Sequence, residues 1–240
     1  MKKLFILLVF TLAVFLSCSN DEDVNQDPIQ SKLIKVTELI TQNGELTEFG
    51  PESNITYQYG TNNFVSVLIA SGGYTREFTY NSNNQIINEL YSNNNGFISN
   101  TNYTYENGMI SVETYDDGSS VEYIYQNNQI VQMIFNYPNN PENNGSISLT
   151  YDTNGNVLNI VNDSTSETIE SYQYDDKINP FSLLFPTSYN KVKRISNNNM
   201  TYREDCQRVI TYEYNALNLP TNSVYNDCGN YTKERTYFYE

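Results

Sequence analysis

The chain contains no histidine and no tryptophan, and only 3 cysteines and 7 prolines in 240 residues. Without histidine there is no Ser-His-Asp triad, no Cys-His dyad and no His-ligated zinc site. Basic residues are scarce too: 13 Lys and Arg stand against 28 Asp and Glu, a formal net charge of −15. A chain of that sign has no basic surface with which to hold a phosphate backbone, which argues against a nucleic-acid partner. Past the N-terminal segment, no stretch sustains a 3.6-residue apolar period, so helices are expected to contribute next to nothing.

The N-terminus carries the longest apolar run. Lys2 and Lys3 precede Leu4 to Leu16, which is short for a membrane-spanning helix, and Ser17-Cys18 follows at once. The segment Val14-Phe15-Leu16-Ser17-Cys18 resembles the lipobox of bacterial lipoproteins, where cleavage precedes a cysteine that receives a diacylglycerol. Phe15 stands where that motif usually has Leu, and small Ser17 meets the cleavage requirement. The alternative is an ordinary signal peptide with an incidental cysteine. The acidic run Ser19-Asn20-Asp21-Glu22-Asp23 resembles the export signal of Bacteroidota-type lipoproteins displayed on the outer face of the outer membrane. A solvated tether on a periplasm-facing protein is the alternative. The expected organisation is a signal peptide over 1–17, a lipidated Cys18 with a flexible tether over 18–31, and a single domain over 32–240. Removing Lys2 and Lys3 leaves 11 of the 13 basic residues against 28 acidic ones, a net charge of −17.

What the domain does have is tyrosine, 22 residues of it, in a recurring pattern. Tyr57-x-Tyr59, Phe78-x-Tyr80, Tyr103-x-Tyr105, Tyr123-x-Tyr125, Leu149-x-Tyr151, Tyr172-x-Tyr174, Tyr212-x-Tyr214 and Tyr237-x-Tyr239 follow one another at 20 to 26 residues, with one gap of 40. Two-residue spacing puts both rings on one face of a strand, and the polar Gln58, Thr79, Thr104, Gln173 and Glu213 between them belong to a wetter face. Asn/Gly/Asp turns and then Ile/Val/Leu-rich segments follow most copies, so each unit reads as strand, tight turn, strand. The expected fold is all-β: repeated β-hairpins forming a long curved antiparallel meander, with tyrosines laddered across strands and closure into a barrel undecided. Leu33–Ile40 and Glu45–Phe49 read as an earlier, weaker hairpin around Asn43-Gly44. The gap from Phe181 to Asp205 reads as an insertion holding Lys191, Lys193 and Arg194, the one basic cluster.

The unit Leu149-Thr150-Tyr151-Asp152-Thr153-Asn154-Gly155-Asn156-Val157-Leu158-Asn159-Ile160 resembles one repeat of the Rhs/YD-repeat family. Other units replace the Asp by Gly60, Asn81, Glu106 or Gln126. The resemblance implies curved sheets of antiparallel hairpins and a surface location; it implies no activity for a chain this short.

Several positions are candidates for chemistry. Cys206 and Cys228 lie near the open end of a hairpin of Arg208–Tyr214 with Leu219–Tyr225, in a register that sets Cys206 opposite 227 or 228. A disulfide there would stabilise by about 3 kcal/mol; a free thiol is the alternative. Asp152-Thr153-Asn154-Gly155-Asn156 spaces oxygens like a calcium loop but lacks the distal Glu, so a hairpin turn is preferred. Tyr74, Tyr91, Tyr189 and Tyr202 fall outside the repeat positions and are candidates for exposed ligand contacts, and Lys191, Lys193 and Arg194 for an anionic glycan or partner. Asp163-Ser164-Thr165 is similar to an O-glycosylation site of Bacteroidota-type secreted proteins. No metal or cofactor site and no catalytic residue are expected. The functional expectation is a lipid-anchored binding or scaffold module, with a carbohydrate-binding accessory lipoprotein and a carboxylate-based glycan hydrolase as rivals.

Overall fold

The computed structural model describes residues 31–43, 45–46, 53–204, 207–227 and 231–240. The signal segment, Cys18, most of the tether, Cys206 and Cys228 lie outside the described residues. The strands are β1 (Leu33–Gln42), β2 (Glu45–Leu46), β3 (Ser53–Tyr59), β4 (Val65–Ala70), β5 (Tyr74–Tyr80), β6 (Ile86–Asn93), β7 (Ile98–Glu106), β8 (Met109–Tyr115) and β9 (Ser120–Gln126). They continue with β10 (Gln129–Asn136), β11 (Gly145–Tyr151), β12 (Val157–Asn162), β13 (Thr168–Ile178), β14 (Asn198–Arg203), β15 (Arg208–Tyr214), β16 (Pro220–Asp227) and β17 (Tyr231–Tyr239). Each strand from β3 onward pairs antiparallel with the next, and β1 lies between β17 and β3. The meander therefore closes: 16 strands form a barrel, with β2 a short side ribbon on β1.

One construction repeats around the wall. The second aromatic of each motif faces an apolar residue on the following strand, and a bulge comes next: Tyr59 faces Val65 while Gln58 faces Val67, and Tyr80 faces Ile86 while Thr79 faces Asn88. The same step occurs at Ile110, Ile130, Val157, Met200, Pro220 and Leu33. A bulge breaks the ladder on its other side and leaves a carbonyl without a backbone donor. In all eight places a tyrosine hydroxyl supplies one. Tyr59, Tyr80, Tyr105 and Tyr125 donate to the carbonyls of Leu33, Val65, Ile86 and Ile110. Tyr151, Tyr174, Tyr212 and Tyr239 donate to those of Ile130, Val157, Met200 and Pro220, and the eight bonds measure 2.6–2.9 Å. Each bond ties one hairpin to the next where their strands splay. Phenylalanine at Tyr125 or Tyr151 keeps the ring and strands the carbonyl, so each change should cost about 1–3 kcal/mol in chemical denaturation. Burial pushes Tyr59 and Tyr151 up to about 12. A raised phenol pKa contributes stability in full below the ordinary value of 10.0 and loses it as pH climbs through the folded value. Phenolate absorbance should therefore rise together with loss of the β signal; rings that ionise while the sheet persists would refute the staple.

The turns explain why Asp and Asn interchange after the motif. Asp152 Oδ1 accepts from the N–H groups of Asn154 and Asn156 at 2.8 and 2.9 Å. Asn81 does the same for Asn83 and Gln85, and Asn215 for Leu217 and Leu219. Only an acceptor oxygen is required, so the hairpin-turn reading of 152–156 holds. The shorter turns instead use positive φ at both central residues, 50° and 80° at Asn107-Gly108 and 50° and 65° at Asn127-Asn128.

Closure explains β1. Seven complete units run from β3 to β16; the eighth takes its tyrosine strand, β17, from the C-terminus and its second strand, β1, from the N-terminus. Leu33 faces Tyr239 and carries the same bulge, and Lys32 and Glu240 exchange two backbone hydrogen bonds of 3.0 Å. The expected weak hairpin around 43–44 is present as a short pairing of β1 with β2, Thr41 opposite Leu46 and Gln42 opposite Glu45 among the described residues, but β1 pairs chiefly with β17 and β3. β1 is the missing half of the last repeat. A correction concerns β15 and β16, where Ile210 faces Tyr225 rather than Ser223. The bulge at Tyr214 lengthens the connection by one residue, and the register beyond it lies two places from the expected one, which keeps every side chain on its expected face.

Inside lie Val36, Tyr57, Val65, Phe78, Ile86, Tyr103, Ile110, Tyr123, Ile130, Leu149 and Ile160, all buried. Outside, Gln58, Thr79, Thr104, Gln173 and Glu213 are exposed as expected, among scattered apolar residues such as Ile69 and Val224. A membrane-spanning barrel has the opposite alternation, with an apolar band facing lipid. This wall is built to face water.

Candidate functional site

The expected solvated insertion turns inward. Asn179 opens it: its Oδ1 accepts from Phe181 N–H, and its Nδ2 donates to the Ser196 carbonyl at 2.8 Å, closing the base. A 3₁₀ turn (Pro180–Leu183) leads into a single helix, α1 (Thr187–Val192). Phe181, Leu184, Phe185, Ser188, Tyr189 and Val192 are spaced at three or four residues, a short helical stripe that the search for sustained periodicity passes over. The stripe joins the barrel core. Phe78 meets Phe185 at 4.8 Å and Tyr189 at 5.8 Å between ring centroids, and Tyr103 meets Tyr189 at 5.6 Å. The segment plugs the barrel.

The plug is latched by two carboxylates on the wall. Three places after the bulge's apolar residue stand Val36, Leu68, Met133 and Ile160 in four units and Arg203 and Ser223 in two, but Glu89 and Glu113 in the remaining two. Glu89 is 5% exposed and Glu113 2%. Arg76 Nη1 donates to Glu89 Oε1 at 2.8 Å, and the hydroxyls of Tyr103 and Tyr189 both donate to Oε2 at 2.8 Å. Lys193 Nζ and Tyr115 donate to Glu113 Oε1 at 2.6 and 2.8 Å, and Tyr123 to Oε2 at 2.6 Å. Lys193 also lies 4.0 Å from Glu89 Oε2 and over the rings of Tyr103 and Tyr189. Burial alone would raise the Glu89 pKa; Lys193, Tyr103, Arg76 and Tyr189 outweigh it and hold the group below its ordinary value. A general acid for glycoside hydrolysis needs the opposite shift.

Two recesses flank the plug. One, of about 460 Å³, is bounded by Tyr57, Leu68, Glu170, Tyr172, Phe181 and Arg203. The other, of about 410 Å³, lies between α1 and the hairpin turns and is bounded by Asn128, Gln129, Tyr151, Asn190, Lys191 and Arg194. The expected contact residues are therefore divided. Lys191 and Arg194 share the second recess, where Lys191 Nζ donates to the Asn128 carbonyl. Tyr189, expected to be exposed, is 3% exposed and belongs to the latch with Lys193. Tyr74 and Tyr91 stack at 5.8 Å at the other end of the strands, beside Phe97, which is 57% exposed. Tyr202 is half-buried on β14 and joins none of these groups. Among the described residues, no group of His, Cys, Asp or Glu is arranged to hold a metal ion. Asp163 is occupied by the hydroxyls of Ser146 and Ser148 at 2.5 and 2.6 Å, whereas Ser164 and Thr165 are exposed. Sequence reasoning missed Glu89 and Glu113. Their signal was an acidic residue at a position that four other repeats fill with Val, Leu, Met or Ile.

Fold and site together define a closed, plugged β-barrel of 16 strands. No family model matches the chain, and no curated protein does. Among solved structures, it is similar to a porin-like protein from Bacteroides uniformis, with a TM-score of 0.42 and 11% identity over 87% of this chain and 96% of that one. It is also similar to TcdB2-TccC3, with a TM-score of 0.37 and 13% identity, and to the Photorhabdus luminescens Tc holotoxin pore, with 0.36 and 13%. These matches cover 83% and 86% of this chain and 11% of each of those chains.

Proposed function

We propose that the protein is a non-catalytic binding or scaffold module of the YD-repeat-like type, held by a lipid on Cys18 at the outer membrane and facing the cell exterior. The observation that carries this reading is the plug: it fills the lumen with a packed core and has a recess on either side of it, an arrangement suited to holding a ligand rather than passing one. Glu89 and Glu113, each with both oxygens hydrogen-bonded and a cationic partner, support the non-catalytic part. The water-facing wall supports a domain carried beside a bilayer on a tether, and the sign of the net charge leaves a glycan or protein as partner rather than nucleic acid. Replacing Cys18 by Ser should move the protein from the membrane to the soluble fraction of fractionated cells; unchanged partition would refute the anchor. A periplasm-facing orientation would show as resistance of the wild-type protein to protease added to intact cells.

A saccharide is the second reading for the ligand. It is favoured by the amide-rich recess at Asn128, Gln129 and Asn190, because side-chain amides pair with hydroxyls as donors and acceptors. Titration of the protein against a glycan panel tests it, and silence across the panel would remove it.

A further inference from the structure

The recess between α1 and the hairpin turns carries more specific information about its occupant. Asn190 is 7% exposed, and its Nδ2 donates to the carbonyls of Ser182 and Phe185 at 2.7 and 3.0 Å. Those two acceptors fix the orientation of the amide, so the oxygen and nitrogen are not interchangeable. Its Oδ1 is buried with no hydrogen-bond partner among the described residues, and Asn190 lines the recess. A buried acceptor left unpaired calls for a donor, and a hydroxyl is the simplest neutral one. Arg194 bounds the same space. It sits just past the helix with φ of +56°, a conformation that favours glycine or asparagine over arginine, and it is exposed. Its guanidinium forms no ion pair or hydrogen bond among the described residues, in a chain whose net charge is −15. Lys191 adds a second cation, its pKa lowered by burial. Opposite them, Gln129 Nε2 and Asn197 Nδ2 lie 3.7 and 3.6 Å from the place a Gly155 side chain would fill, so two amides converge over a bare turn. Tyr151, Val157 and Ile195 supply an apolar wall.

Fixed hydroxyl acceptor, free fork-shaped cation, amides and an apolar wall in about 410 Å³ match one ligand chemistry. We propose that this recess binds an acidic sugar unit, with the carboxylate on Arg194, a ring hydroxyl on Asn190 Oδ1 and the C–H face of the ring against Tyr151 and Ile195. The proposal rests on the saccharide reading above and adds the charge requirement and the site.

Calorimetric titration of the full chain tests it, with glucuronate, galacturonate and N-acetylneuraminate as probes. Glucose and galactose serve as neutral counterparts, and acetate and inorganic phosphate as bare anions. At least one acidic sugar should bind, its neutral counterpart at least about tenfold more weakly, because the bidentate contact is lost. Arg194→Asn keeps a residue that tolerates the left-handed backbone and should weaken that binding by at least about tenfold with an unchanged melting temperature. Lys191→Gln should weaken it less. Equal binding of acidic and neutral sugars, equal binding of acetate or phosphate, or indifference to Arg194→Asn would each overturn the assignment. Neutral sugars binding alone would sink the acidic-sugar proposal and leave the saccharide reading standing, whereas no binding by any sugar here or in the glycan panel ends both.

Discussion

Deletion of residues 231–240 is expected to destroy the fold rather than trim it. The segment is β17, which pairs with β16 over Asn222–Asp227 and with β1 over nearly its whole length. Removing it exposes two long strand edges, takes Tyr237 from the core, breaks the Tyr239 bond to Pro220 and strands Glu38 without Arg235, its partner at 2.7 Å. Open edges of that length template intermolecular pairing, so the truncated chain should aggregate and lose cooperative melting. The complementary construction should succeed. Lys32 and Glu240 are hydrogen-bonded neighbours, so a short Gly/Ser linker can join them, with new termini opened in the exposed connection between β10 and β11. Exposed loop tips tolerate such cuts, and the permutant should keep the fold within about 2 kcal/mol of the parent. A monomeric, cooperatively melting truncation would show that the terminal strands do not jointly complete the eighth repeat.

The repeat was legible because its determinants are local. Tyr-x-Tyr spacing fixes the face, an Asx or positive-φ turn fixes the hairpin, and neighbouring hairpins pair by default, so the all-β meander follows from residues within a window of about a dozen positions. Closure was not legible, because it depends on Leu33–Val36 meeting Tyr237-x-Tyr239 across the whole chain. The bulges hid for a related reason: one extra residue per hairpin leaves the sequence pattern intact and shows only in register, as the step from Tyr214 opposite Pro220 to Glu213 opposite Asn222 illustrates. The plug was hidden by its composition. Lys191, Lys193 and Arg194 mark a solvated loop by charge, yet Lys193 goes inward because two wall carboxylates await it, and neither Glu89 nor Glu113 is distinguished without the repeat alignment that reveals the inward position.

That pairing makes the second large effect. Glu113→Ala should lower stability by about 3–5 kcal/mol, because it leaves the Lys193 ammonium among the rings of Tyr103 and Tyr189 without its carboxylate at 2.6 Å. The hydroxyl of Tyr123 loses its acceptor as well. The cost measures the stranded charge and not the net worth of the pair, since desolvating both ions offsets much of their attraction. The double variant Glu113→Leu with Lys193→Met replaces charge by apolar volume and should recover most of the loss in urea denaturation. Plug and wall then remain joined through Phe185, Tyr189 and Val192, which pack in the core independently of the latch. If Glu113→Ala were as stable as the parent, Lys193 would have to find water, and the plug would not seat where its aromatic stripe meets Phe78 and Tyr103. If instead the double variant were no better than the single one, the latch would be contributing more than charge compensation, and Tyr115 and Tyr123, which share its oxygens, would be the residues to change next.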